Sequence, residues 1–375
     1  MSYVDLFNRY FPTPHYLEMP HAGIDISSAS VRMAALSRTS GGLKIKDYAE
    51  EKLSSPILPG QALLSHKNLV EVLKKMQKEH NLKFVEVSIP EEKSYLFTLD
   101  VLDGTKEELR TRIEMHIEEN VPISLDDAVF DYHRISKNQK TGMQFVAVSV
   151  VPLVVINEYV LLIESCGMIP ISFLIENQAL SRAIVKKGDR ETYLIVNICH
   201  KNTVLSVVKD EAVQFTSTVA LGSEDFTTAI ATKLSIDKEE ARVAKYEKGF
   251  SRDFGNESVS DVMMAVSAVL VEEIRKVFTY WNNINSLKGP KENIYYLKSD
   301  DKNNTSGDVK KILVAGKEAG IVGLTDFLAV SLKLPVEIAN VWANIMSFEN
   351  NTPVLSMKDS LSYGTALGLA LLKDK

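Results

Sequence analysis

Asp25 ends a short alternating apolar run and is followed, after Ile26, by Ser27, Ser28, Ala29 and Ser30, within AGIDISSASVRMAALS at residues 22 to 37. A carboxylate ahead of four small residues suits two kinds of chemistry. It can close an ordinary hairpin, because short polar residues favour turns. The bend can also lie against something bulky, anionic and metal-bound. Backbone N–H groups in a tight turn form a nest for phosphate oxygens, small side chains let the backbone approach, and magnesium takes hard oxygen ligands while keeping several waters. The local pattern leaves both open.

The other reactive residue types are scattered. His15, His21, His66, His80, His116, His133 and His200 include no pair at metal-ligand spacing. Cys166 and Cys199 are too few for a disulfide framework or a zinc set, which fits a reducing compartment. No Gly-rich Walker loop, G-x-S-x-G or G-x-G-x-x-G is present.

The elements that must position Asp25 read as a meander. Alternating runs at 22 to 27, 31 to 37 and 43 to 49 predict three strands joined by short turns. Leu69, Val72, Leu73 and Met76 follow at helical spacing, and FVEVSIP reads as a buried strand. From Glu91 the pattern changes to a compact α+β block. Strand SYLFTLDV, Thr-capped helix TKEELRTRIEMHIEENV, strands AVFDYHRIS and MQFVAVSVV, and helix LVVINEYVLLIESCG fill residues 91 to 167. IPISFLIENQ then reads as a strand and QALSRAIV as the opening of a helix.

The second half repeats the first. TYLIVNICHKN, TVLSVVKD and EAVQFTST are again three strands, followed by helices, a long helix over about 258 to 285, strand NIYYLKS, a strand–glycine–helix unit at KKILVAGKEAGIVGLTDFLAVSL, short strand VEIANVW and a closing helix in LSYGTALGLALL. Two such halves predict a duplicated α/β domain. The first lobe spans 1–90, completed by 168–190 and 360–375. The insertion spans 91–167. The second lobe spans 191–359, with a helical/β subdomain at about 222–290.

Composition agrees with a two-lobed globular chain. It has 375 residues, 45% hydrophobic and 25% charged, with a formal charge of -6. The acidic balance argues against nucleic acid as the main partner. No secretory leader is visible, and the longest apolar run is broken by Pro152, Asn157 and Glu158, so direct membrane insertion is not expected. Val4, Phe7 and Phe11 share helical spacing near the N-terminus, but only Arg9 is basic there, so packing on the chain's own lobe or on a partner is the expectation.

Paired meanders, each with a first turn near an acidic or amide residue, and a late strand–Gly–helix unit resemble the actin–hexokinase ATPase superfamily. The position of the insertion resembles its FtsA branch and, more closely, the type IV pilus assembly PilM family. FPTPHYLEMPHAGIDIS, VSIPEEKSYLF, IEENVPISLDDAVFDYH, IENQALSRAI, VQFTSTVALGSEDFTTAI and SYGTALGLAL carry that likeness, in order, from about residue 10 to the C-terminus. The insertion is identified with the SHS2-like module of these proteins.

The resemblance implies a two-lobed actin-like ATPase fold holding ATP with magnesium. Asp25 would be the metal-side carboxylate, acting through water, and Ser27, Ser28, Ala29 and Ser30 the first phosphate turn. Asn197 and Lys201 belong to the second turn, NICHKNT, where Asn197 stands in place of an aspartate and Cys199 in place of a glycine. Losing a positioned acid or base typically removes about 10²–10⁴ in rate. Gly222, Lys245, Gly316 and Lys317 would border the nucleotide. Ser223, Arg242 and Lys317 depart from the family's usual Gly, Glu and Gly. Gln178 matches the position that orients an attacking water, with Glu176 as the competing choice and helix capping as the plain reading of Gln178. The plain reading of Lys201, a solvated surface lysine, outweighs a place beside the phosphates.

These departures imply slow or absent hydrolysis. In function, the resemblance implies a cytoplasmic adaptor at the inner face of the cytoplasmic membrane. It would dock the N-terminal peptide of a PilN-like single-span membrane protein near FTLDVL and EELRTRIEMHIEENVP, among other pilus assembly proteins. The alternatives are an active ATPase and a self-associating, filament-forming protein of the FtsA type.

Overall fold

The computed structural model describes residues 20–39, 42–58, 60–252, 255, 257–288, 308–346 and 353–371. The expected N-terminal helix around Phe7 and the expected strand NIYYLKS lie outside these residues.

Two five-stranded sheets share one topology. In the first, β1 (Ala22–Ile26), β2 (Ser30–Thr39) and β3 (Gly42–Lys52) form the antiparallel meander, and β4 (Phe84–Ile89) and β8 (Ile169–Ile175) add in parallel beside β1. In the second, β9 (Tyr193–Ile198), β10 (Thr203–Lys209) and β11 (Ala212–Val219) form the meander, with β12 (Lys311–Ala315) and β13 (Val336–Ile338) parallel beside β9. The strand orders β3-β2-β1-β4-β8 and β11-β10-β9-β12-β13 match position for position, which is the duplication the sequence implies.

All five residues of β1 and all six of β9 are buried. Each is an interior strand, hydrogen-bonded on both sides and covered on both faces, which is why polar residues at their ends are drawn into the interior. Asp25 and Asn197 are those residues.

Helix α1 (Lys67–Glu79) buries the predicted stripe Leu69, Val72, Leu73 and Met76 on the first sheet. The insertion is a three-stranded sheet, order β5-β7-β6, from β5 (Tyr95–Leu102), β6 (Ala128–Lys137) and β7 (Met143–Pro152). Helix α2 (Lys106–Asn120), started by a capping box between Thr105 and Glu108, covers it with Leu109, Ile113 and Ile117.

Helix α3 (Leu153–Ser165) follows β7 within the expected 91–167 block, and its Tyr159, Leu162 and Ile163, with Val151 of β7, pack in the core of the first lobe together with Leu69 and Met76.

Helix α4 (Glu176–Ile184) and helix α9 (Gly364–Ala370) lie between the two sheets. Their apolar residues share one core with Ala34 and Ile45 of the first sheet and Tyr193, Ile195 and Leu313 of the second. The helices touch through glycine: a Cβ on Gly368 would stand 1.7 Å from the Ala179 carbonyl oxygen, and one on Gly23 would stand 2.2 Å from that of Ala366. The second lobe adds α5 (Ser223–Leu234), α6 (Lys238–Glu247), α7 (Glu257–Lys288) and α8 (Leu324–Leu332).

Candidate functional site

Asp25 is buried at the mouth of the crevice between the sheets. Its Oδ1 accepts from Ser88 Oγ at 2.8 Å, and Oδ2 lies 3.8 Å from Arg32 Nη1. Burial pushes its carboxyl up, against the lowering effects of Arg32 and the Ser88 hydrogen bond. Both oxygens thus have protein partners with which a metal-bound water would compete.

The turn after Asp25 is internally closed. Ser27 Oγ donates to the Ser30 carbonyl at 2.9 Å and sits 3.1 Å from Ser30 Oγ, while the carbonyls of Ser28 and Ala29 accept from Ile57 and Leu53. Ser30 is buried. Ser28, half-buried, is the hydroxyl left outside the Ser27–Ser30 pair.

The second turn lies on the other side of the same crevice, and α4 joins the two. Cys199 Sγ is 3.7 Å from Glu176 Oε1. Glu176 is half-buried. Burial, then the charges of Asp25, Glu92 and Glu91, push it up to about 8. Cys199 is likewise raised, by burial first and then by Glu176 and Asp25, so the thiol stays protonated and unreactive.

Glu91, at the entry to the insertion, is buried and pushed up to about 7. Burial dominates, Glu92 adds to it, and hydrogen bonds from Thr216 and the Asn177 N–H oppose it. Asp25 of β1, Glu91 and Glu92 at the entry to the insertion, and Glu176 of α4 therefore converge. Among the described residues, no group of three or more His, Cys, Asp or Glu side chains is arranged to hold a metal ion.

The remaining residues singled out from sequence divide clearly. Asn197 points inward: its Nδ2 donates to Asn177 Oδ1 at 3.2 Å, and Asn177 Nδ2 donates to Ser206 Oγ at 2.5 Å. Gly316 and Gly222 brace this turn. A Cβ on Gly316 would stand 2.8 Å from the Ile198 carbonyl oxygen, and one on Gly222 2.5 Å from that of His200. Gly316 also has a φ of +79° that glycine adopts freely. Gln178 turns away from the crevice and donates to Ser149 Oγ of β7 at 2.5 Å, so it holds the insertion, whereas Glu176 faces Cys199. It is no cap either, being the third residue of α4. Lys201 is exposed and lines an open groove of about 530 Å³ with Glu224, Asp225 and Thr228.

Lys245 is enclosed. Its Nζ lies 3.0 Å from Glu318 Oε2 and donates to Ser223 Oγ at 2.6 Å, with 1% of the Lys245 and 5% of the Glu318 side chain exposed. Ser223 Oγ and Tyr246 OH donate to Glu318 Oε1 at 2.7 and 2.6 Å. Burial pushes the Lys245 ammonium down, opposed chiefly by Glu318. Lys317 is exposed, its Nζ 5.9 Å from the Tyr246 ring centre.

A family model described as type IV pilus assembly protein PilM matches residues 23–374. The chain belongs to the PilM family. Its fold resembles a chain of the PilM–PilN type IV pilus biogenesis complex, with a TM-score of 0.69 at 16% identity over 94% of this chain and 98% of that one. It also resembles the ethanolamine utilization protein EutJ from Carboxydothermus hydrogenoformans (TM-score 0.52, 13% identity, 96% and 90% covered). MreB5 of Spiroplasma citri, solved with ADP, gives a TM-score of 0.50 at 11% identity, covering 87% of this chain and 93% of that one. This PilM-family chain has the actin-like ATPase fold.

That fold implies magnesium and ATP in the crevice, and the residues present do not fit the nucleoside end. Lys245, the expected nucleoside contact, is already neutralised and hydrogen-bonded by Glu318 and Ser223. Asn197, expected in the second turn, commits its Nδ2 to Asn177 and points into the interior.

Glu91, Asn177, Ser223 and Glu318 carry much of this geometry and were not singled out as site residues from sequence. Glu318 and Lys245 are 73 positions apart, a separation that no periodicity marks.

Proposed function

We propose that this PilM-family chain is a cytoplasmic adaptor of type IV pilus assembly, peripheral at the inner face of the cytoplasmic membrane, that docks the N-terminal tail of a PilN-like single-span membrane protein. The observation that carries this reading is the family match over 23–374. The small sheet inserted between β4 and β8 supports it. Exposed apolar side chains stand on both bodies that would receive a peptide: Leu102 and Met115 on the insertion, Val154 and Leu161 on α3 of the first lobe. An extended segment docking there would gain backbone hydrogen bonds and side-chain pockets. Among the described residues no helix is long and apolar enough to cross a membrane, so attachment through a partner suits this part of the chain.

The polar network around Glu176, Asn177 and Asn197 supports a rigid platform more than a catalyst, and in this reading hydrolysis is slow or absent. The test is co-elution of the full chain with the N-terminal segment of its PilN-like protein on a sizing column. Co-elution that Met115→Glu weakens while the melting temperature is kept supports the reading. Failure to co-elute at concentrations of tens of micromolar overturns it.

A further inference from the structure

The disagreement between the fold and its residues at the nucleoside end has a chemical form. Three elements of the second lobe meet at Glu318. It lies on the turn Lys317–Gly320 after β12, Lys245 on the last turn of α6, and Ser223 at the start of α5. The carboxylate takes one ammonium and two hydroxyls, from Lys245, Ser223 and Tyr246. The ammonium takes that carboxylate and both oxygens of Ser223. The Lys245 charge is matched by Glu318 Oε2 at 3.0 Å, although that oxygen has no aligned hydrogen bond, and the two hydroxyls both go to Oε1, so the cluster presents no uncompensated charge to a ligand.

We infer that Glu318 is a built-in occupant of the nucleoside slot, and that the second lobe is held closed by this carboxylate in place of a bound adenine nucleotide. A nucleotide entering between α6 and the turn after β12 would have to separate Lys245 from Glu318 and leave a buried charge without its partner, which is strongly unfavourable. Gly222 and Gly316 seat the flanking turns directly on the backbone at His200 and Ile198, so neither turn can retreat in that direction. The inference concerns the second lobe alone and stands apart from peptide docking on the first lobe and the insertion. Peptide co-elution and nucleotide titration read the two surfaces separately, so either can fail without the other.

The experiment is calorimetric titration of the full chain with Mg-ATP and with Mg-ADP, alongside Glu318→Ala, Glu318→Gln and the double variant Lys245→Met with Glu318→Leu. The unaltered chain should show no saturable binding up to about 1 mM nucleotide, and no rise in melting temperature. Glu318→Ala frees the Lys245 ammonium and should gain binding at least tenfold, with a nucleotide-dependent rise in melting temperature. Should Glu318→Ala fail to fold, Glu318→Gln keeps the shape and one acceptor oxygen while removing the counter-charge, and should show the same gain in weaker form. The double variant removes the ion pair but fills the slot with apolar side chains, and should fold and bind no nucleotide. Micromolar binding of Mg-ATP by the unaltered chain, abolished by Lys245→Met, would overturn the inference. So would the absence of any gain in folded Glu318→Ala and Glu318→Gln.

Discussion

Asn197 of β9 hands its amide proton to Asn177 of α4, and this 3.2 Å bond fastens the end of the second meander to the helix between the sheets. Asn177 completes the chain by donating to Ser206 of β10. An aspartate at position 197 would remove the donor and set a carboxylate against the Asn177 carbonyl oxygen. Leaving such buried groups unpaired costs roughly 1–3 kcal/mol. We therefore expect Asn197→Asp to lower unfolding stability by that amount in urea. Combined with Cys199→Gly, it should give no phosphate release from Mg-ATP, because the Lys245–Glu318 pair still fills the nucleoside end. A brisk, saturable release would contradict this.

Stability should depend on pH in a direction set by the buried carboxyls. Glu91 and Glu176 are held up at about 7 and about 8, against an ordinary value of 4.5. Between these values the folded chain keeps protons that the unfolded chain has released. Stability therefore falls as pH rises from about 5 through 8, and levels off once both groups are ionised in the folded state. For Glu91 alone the loss is on the order of 3 kcal/mol. Urea unfolding at pH 5.5, 7 and 8.5 should show the decline, and Glu91→Gln should flatten it. Stability that rises across this range would contradict the buried cluster.

Gly368→Ala tests the seam between the lobes. The added methyl would meet the Ala179 carbonyl oxygen at 1.7 Å, backbone against backbone, so α4 and α9 must move apart. Overpacking of this kind costs about 1–3 kcal/mol and occasionally more. Thermal unfolding should shift down by several degrees or the chain should fail to accumulate. An unchanged melting temperature would mean that the two helices do not meet as described.

Much of the architecture was legible because it rests on local pattern. The meanders announce themselves by alternation, and α1 by Leu69, Val72, Leu73 and Met76. What α3 covers could not be read, since the period of Tyr159, Leu162 and Ile163 shows that a helix has a buried face but not which sheet lies under it. The roles of Glu176 and Gln178 turned on the start of one helix. Two residues along a helix rotate a side chain by about 200°, enough to send Glu176 to Cys199 and Gln178 to Ser149. The Lys245–Glu318 pair has no sequence signature at all, because only the fold brings α6 to the turn after β12.

The central claim is that this chain docks a membrane protein's tail as a preassembled clamp that needs no nucleotide. The most direct measurement is calorimetric titration of the full chain with the N-terminal peptide of its PilN-like partner, run with and without Mg-ATP. The account predicts saturable, one-to-one binding whose affinity is the same in both titrations. Binding that appears only with Mg-ATP, or no binding in either, would contradict it.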